Sequence, residues 1–301
     1  MSKYRRTEYP QWSWSFSRQQ MFEACRRRYY YNYYASHNGW EFGAAEEAAA
    51  AYRLKKLTNI YMVLGEAVHQ SAERLIEKAA AGEELPNAAE VEASLRRELR
   101  RVWLASRNQR QLFLQRPGRQ PMLHEFYYGG GPTEEAVARI NERLPLVSEA
   151  LVSSPLWREL KTPASRVISV EKFDTFDLAG TPVYAVPDLI YQDGAGLWVI
   201  ADWKSGEQVE DNRAQVALYA LYAHKKHGVP VEQILARLEY LSLGESVEMT
   251  FSQTDLEEVK KEALAGMAQM QSLLGDRELN AALPRENFPL TTARWQCAGC
   301  N

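Results

Sequence analysis

Residues 186–206 read VPDLIYQDGAGLWVIADWKSG, two apolar runs joined by a glycine-containing turn. Runs of this kind suit strands buried in the middle of a sheet. Yet the stretch carries Asp188, Asp202 and Lys204. Side chains on one strand face recur every second residue, which groups Asp188 with Val186 and Ile190, and groups Asp202 and Lys204 with Trp198 and Ile200. Two carboxylates and an ammonium beside a core are costly unless they pair with each other or hold a cation. The segment must therefore be central sheet whose charges have partners.

The flanking sequence supplies the rest of the sheet. RVISVEKFDTF, LAGTPVYAVPDLIYQ and AGLWVIADWKSG have the β-branched, turn-punctuated pattern of three consecutive strands, and ILARLEYLSL and SVEMTF add two more. Helical periodicity marks 57–80, with Leu64, Val68, Leu75 and Ile76 near one face, and helices are expected over about 88–109 and 134–151. VEDNRAQVALYALYAHKKHG is a helix stopping at Gly228, and SQTDLEEVKKEALAGMAQMQSLL is one capped by Ser252 or Thr254. SWSFSRQQMFEACRRRYYYNYY reads as a helix started by Ser15 or Ser17, and 117–133 as an exposed, Gly-rich loop. The order predicts an α/β fold, a central mixed β-sheet flanked by helices with an N-terminal helical portion. With 301 residues, 46% of them hydrophobic, one domain over 1–301 is expected, with 82–160 as a helical insertion. No apolar run approaches membrane-spanning length, MSKYRRTEYP has no apolar core, and three cysteines do not build a secreted disulfide fold. The expectation is a cytoplasmic protein without membrane association.

A net charge of −3 gives no global signature for nucleic acid, but the charge is unevenly spread. Residues 1–34 hold seven basic residues, two acids and eleven aromatics, and 96–119 hold eight arginines against Glu98 alone. Arginines interleaved with rings can stack bases and neutralise phosphates. The plainer reading of the first stretch is a helix with an aromatic core face and a solvated basic face. The 96–119 arginines are expected to bind phosphate.

Asp202-Trp-Lys204 projects a carboxylate and an ammonium from one strand face, and Asp188 reaches them across the turn at 192–196 if the strands pair. Two converging carboxylates suit Mg²⁺ or Mn²⁺, with Lys204 placed to steady charge on a phosphate. The alternative is a structural Asp–Lys pair at a strand end. Gln215 and Tyr219 stand i, i+4 on the following helix, and Tyr222 can extend their face; ordinary helix–sheet packing would use the same residues. His69, in GEAVH, is a helical histidine that can ligate a metal or simply pack.

Taken in order, Gly65-x-x-x-His69, Asp188 after Pro187, Asp202-x-Lys204 and Gln215-x-x-x-Tyr219 resemble the RecB-like branch of the PD-(D/E)XK nuclease superfamily. The resemblance implies a restriction-endonuclease-like core and metal-dependent hydrolysis of DNA phosphodiesters, on single strands or ends. It implies that His69, Asp188 and Asp202 hold the ions, with the Trp203 backbone carbonyl completing the shell, that Lys204 is the catalytic lysine, and that Gln215 and Tyr219 support DNA. Asp202 stands where many members have Glu. Glu171 is either an outer partner of the metal site or a solvated strand residue. The resemblance leaves open roles in DNA repair, recombination or phage defence. No G-x-x-x-x-G-K-[ST] motif is present, so unwinding would need a helicase partner.

Cys25 lies far upstream of Cys297 and Cys300, which form Cys-x-x-Cys in WQCAGCN. This arrangement is similar to that of iron–sulfur members of the branch, AddB-type and CRISPR-associated, where four cysteines hold a [4Fe–4S] cluster that clasps the two ends of the domain. The chain carries three, and the expectation is a fourth ligand a few residues beyond Asn301. Zinc is the runner-up, and unligated thiols the plain alternative. Two other functions compete with the nuclease: a catalytically silent DNA-binding or assembly subunit, and a zinc or redox protein built on Cys297 and Cys300.

Overall fold

The structure, a computed structural model, describes residues 6–206 and 211–300. A two-residue strand, β1 (Trp14–Ser15), leads into α1 (Phe16–Ala24), whose N-terminus is capped by Ser15 accepting the Arg18 N–H. Cys25 adopts an extended conformation and breaks the predicted helix; α2 (Arg26–Tyr30) resumes it and widens into a π turn over Tyr31–Ala35. Then come α3 (Glu46–Lys55), α4 (Ile60–Ala80), α5 (Ala88–Asn108), α6 (Arg110–Gln115), α7 (His124–Tyr128), α8 (Glu134–Ser153) and α9 (Leu156–Leu160). Asn59 caps α4, and Asn87 with Glu90 forms a capping box on α5. The stretch 117–133 is not a simple exposed loop. Met122 and Leu123 are buried, and Thr58 exchanges backbone hydrogen bonds with Met122 and His124. Their apolar side chains win over the polar composition around them.

The strands follow: β2 (Arg166–Val170), β3 (Asp174–Leu178), β4 (Thr181–Ala185), β5 (Leu189–Gln192) and β6 (Trp198–Lys204). After α10 (Asp211–His227) come β7 (Ile234–Tyr240), β8 (Glu245–Thr250), α11 (Gln253–Gln271), β9 (Leu274–Asp276) and β10 (Ala281–Ala282). The main sheet has the order β2-β5-β6-β7-β8, with β6 and β7 parallel across the α10 crossover and the other pairs antiparallel. A second sheet is ordered β1-β4-β3. Two runs expected as single strands therefore split between sheets. Glu171, at φ 38° in the left-handed region, ends β2, and Pro187, which has no N–H to offer a ladder, separates β4 from β5. Val209 and Glu210, assigned to a helix from sequence, lie outside the described residues.

The core has two layers, one on each face of the main sheet. Trp198 and Ile200 of β6 pack on the α10 and α11 side, with Val216, Ala220 and Met267. Val199, Ala201 and Trp203 pack on the opposite side with residues of α4, α8 and α9. The Trp203 indole stacks on Trp157 of α9 at 6.1 Å and 7°. That anchor turns the residues on either side of it, Asp202 and Lys204, toward α10.

In the N-terminal segment the plainer reading holds for the rings that matter most. Trp14, Phe22 and Tyr29 are buried in the first layer rather than offered to bases. Arg18 is itself buried, within 5.4 Å of the Trp12, Tyr29 and Tyr33 ring centroids, and donates to the Ser13 carbonyl and the Tyr29 hydroxyl. The last described segment closes over these rings: Arg27 Nε donates to the Phe288 carbonyl at 2.7 Å, and Phe288 is fully buried against Tyr29, Tyr30 and Tyr34. No helix among the described residues is long and apolar enough to cross a membrane.

Candidate active site

Register places the acids. β5 and β6 pair Leu189 with Ala201 and Ile190 with Ile200, so Asp188 comes opposite Asp202. The Trp203 N–H donates to Asp188 Oδ2 at 2.8 Å, fixing that carboxylate. On the other side β2 pairs Val170 with Leu189, and the Glu171 N–H donates to the Asp188 carbonyl at 3.0 Å. Glu171, Asp188 and Asp202 thus form a row across the ends of three neighbouring strands.

His69, in the third turn of α4, reaches this row from the other layer. Its Nδ1 lies 3.2 Å from Asp188 Oδ1 and 3.3 Å from Glu171 Oε1. The three residues offer ligand atoms all within 4.8 Å of one another. Glu171, which the sequence left between two roles, is therefore inside the cluster. Its left-handed backbone is an outlier for a residue with a side chain, and such strain is found where a functional side chain must be aimed. No local pattern in the sequence announces that conformation.

Lys204 projects beside Asp202, its Nζ 2.6 Å from Asp202 Oδ2. It donates to Gln215 Oε1 at 2.8 Å, and Gln215 Nε2 donates to the Tyr219 hydroxyl at 2.9 Å. The i, i+4 pair on α10 thereby extends the line begun at Asp202. Tyr222 does not extend it; its hydroxyl donates to Asp174 Oδ2 on β3.

The electrostatics follow from burial. Asp202 is 1% exposed, and burial followed by the field of Asp188 raises its pKa to about 7 against the opposing Lys204 and His69 charges. For His69, burial works against the charged ring. Its hydrogen bonds to Asp188 and Glu171 and the fields of Asp188 and Asp202 outweigh that and raise its pKa to about 10. The Tyr219 hydroxyl is pushed up by burial and then by Asp202 and Asp188, so it keeps its proton. In the metal-free chain the imidazolium is the counter-cation of the acids.

The donor set also fits a divalent ion. Carboxylate oxygens with one imidazole suit Mg²⁺ or Mn²⁺. Asp202 Oδ2, although close to Lys204 Nζ, is out of line for a hydrogen bond from it and is buried without an aligned donor. Lys204 is its ionic partner, and Asp202 stands beside, not within, the trio of His69, Glu171 and Asp188 whose ligand atoms gather.

Residues 13–301 match the family model of the PD-(D/E)XK nuclease superfamily. The chain belongs to this superfamily. Its mixed sheet with flanking helices is the restriction-endonuclease-like fold of PD-(D/E)XK proteins, a superfamily of nucleases that use divalent metals. A search of curated proteins finds no match. Pro187-Asp188 stands immediately before β5, and Asp202-Trp203-Lys204 forms the end of β6.

The cysteines gather away from this row. Cys25 sits at the break between α1 and α2, half-buried like Cys300, while Cys297 is exposed. Burial pushes the Cys300 thiol up, Arg28 opposes, and Cys25 and Cys297 add to the rise, so the three side chains share one electrostatic neighbourhood. Of the 96–119 arginines, Arg96 is tied to Glu92 at 2.7 Å and Arg101 to Glu98 at 2.6 Å. These two are helix-surface ion pairs rather than open phosphate contacts.

Proposed function

We propose that the chain is a divalent-metal-dependent deoxyribonuclease of the RecB-like branch, acting on single-stranded DNA or DNA ends in repair, recombination or phage defence. The observation that carries the reading is Lys204, 2.6 Å from Asp202 and held by Gln215, beside the His69–Glu171–Asp188 cluster. In this reading His69, Asp188 and Asp202, joined by Glu171 and the Trp203 carbonyl, would hold the ion. When bound, the ion supplies Lewis-acid stabilisation of a phosphodiester and activates water. Lys204 contributes a fixed ammonium where negative charge develops, and Gln215 keeps it there. Tyr219, kept protonated, holds the amide of Gln215 in one orientation and offers a donor toward the DNA backbone. Strand separation would come from a helicase partner, and the place of action is the cytoplasm.

The test is cleavage of end-labelled single-stranded DNA, duplex DNA and RNA by purified protein with Mn²⁺, Mg²⁺ or EDTA. Single-stranded or end-directed DNA cutting in metal and none in EDTA is expected. Cutting of RNA alone, or cutting unaffected by EDTA, removes the RecB-like assignment. A silent DNA-binding subunit predicts DNA binding with no cleavage in any metal.

The cysteines support a [4Fe–4S] cluster held by Cys25, Cys297 and Cys300 with a fourth ligand from elsewhere. Thiolates are the natural ligands of such clusters, and the Arg27–Phe288 contact already draws the two ends of the fold together. Protein purified without oxygen is expected to contain iron and acid-labile sulfide, with visible absorbance lost in Cys25→Ser. Zinc without iron would favour the zinc site instead.

A further inference from the structure

A cavity of about 470 Å³ opens between α3, α6 and the loops around 39–41 and 116–119. None of these elements contributes to the row of acids. Its walls carry Trp40, Tyr52, Arg53, Arg116 and Arg119, with Glu41 as their acid. The two rings meet edge to face, centroids 5.5 Å apart at 62°, and Trp40 is 39% exposed. Gly118 lets the 116–119 loop close on the rings, since a Cβ there would stand 2.7 Å from the Tyr52 hydroxyl.

The charges are out of balance. Among the described residues no ion pair joins Arg53, Arg116 or Arg119 to a carboxylate. Glu41 is engaged by the Trp40 indole N–H at 3.0 Å. Arg53 Nε is buried and has no hydrogen-bond partner. Guanidiniums gathered around one cavity repel one another, and an anion relieves that repulsion. Arginine forks match phosphate oxygens, and aromatic walls accept a flat base. The volume lies in the range of small-molecule sites.

We propose that this cavity binds a nucleotide unit, its phosphate on Arg53, Arg116 and Arg119 and its base against Trp40 and Tyr52. The site goes beyond the hydrolytic centre and is tested without it, because binding is measured in EDTA. The nucleotide arrives either free or as one residue of a strand.

The full chain is titrated by calorimetry with dAMP, a short oligothymidylate and inorganic phosphate. The same titrations are run on an Arg116→Gln/Arg119→Gln variant, in which both replaced side chains are exposed, and on Trp40→Leu. Thermal melting checks that each variant is folded. Binding of dAMP or the oligonucleotide, weakened about tenfold or more in the arginine variant and several-fold in Trp40→Leu, is expected. Tighter binding of the oligonucleotide than of dAMP assigns the site to a strand, and equal binding to a free nucleotide. No binding of either, or affinities the arginine variant leaves unchanged, would overturn the proposal. So would phosphate binding as tightly as dAMP with no effect of Trp40→Leu.

Discussion

Lys204→Ala is expected to slow single-turnover cleavage of single-stranded DNA at saturating Mn²⁺ by about 10²–10³-fold, the range seen when one fixed stabiliser of transition-state charge is removed. The argument is positional. Lys204 Nζ sits 2.6 Å from Asp202 and is tethered by Gln215, so its charge is oriented before substrate arrives. Because the loss falls on the reacting phosphate, kcat should drop while KM changes little. Metal binding should survive, since the ammonium is not a ligand, and a Mn²⁺-induced rise in melting temperature in the variant would confirm that. A loss of less than about tenfold would leave Lys204 as the ion-pair partner of a buried acid and no more.

Asp202→Asn is expected to do two opposite things: abolish cleavage and stabilise the metal-free protein. With its native pKa raised from 3.8 to about 7, Asp202 binds its proton more tightly in the fold than in the unfolded chain. Its stabilising, protonated form is complete below about pH 4, and its contribution is lost as pH rises to about 7. Asparagine has the same shape without the charge. It should therefore flatten the decline between those pH values and raise the melting temperature at pH 8 by about 5 °C. His69 acts in a separate window, since its pKa near 10 gives stability that is present below about pH 6.5 and lost toward pH 10. The variant should also show no melting shift with Mn²⁺. A marked drop in melting temperature at pH 8 would mean that Asp202 is a net stabilising ion pair, and its place as a metal ligand would fall.

Much of this site could be read from the sequence because it depends on short-range geometry. The i, i+2 spacing of Asp202 and Lys204 and the i, i+4 spacing of Gln215 and Tyr219 survive in any strand followed by a helix. Long periodic helices such as α4, α5 and α8 were likewise visible within a few residues of their ends. What stayed hidden depends on single backbone torsions and on distance. Glu171 enters the cluster only because its own φ of 38° ends β2 at that point. Met122 and Leu123 are buried by contacts with a segment some sixty residues earlier, which composition does not report. The burial of Arg18 inside a ring of aromatics reverses the usual expectation for a surface helix, and only the tertiary fold decides it.

The contact between Arg27 and Phe288 also bears on the order in which the molecule is made. Synthesis proceeds from the N-terminus, and domains begin to organise as they emerge. His69, Glu171, Asp188, Asp202, Lys204, Gln215 and Tyr219 have all left the ribosome before Phe288 does. The nascent chain therefore holds a full set of acids and the lysine while Tyr29, Tyr30 and Tyr34 still lack their cover. Closure by Phe288 comes after these seven residues are in hand, which makes it a late packing step rather than a step in bringing them together.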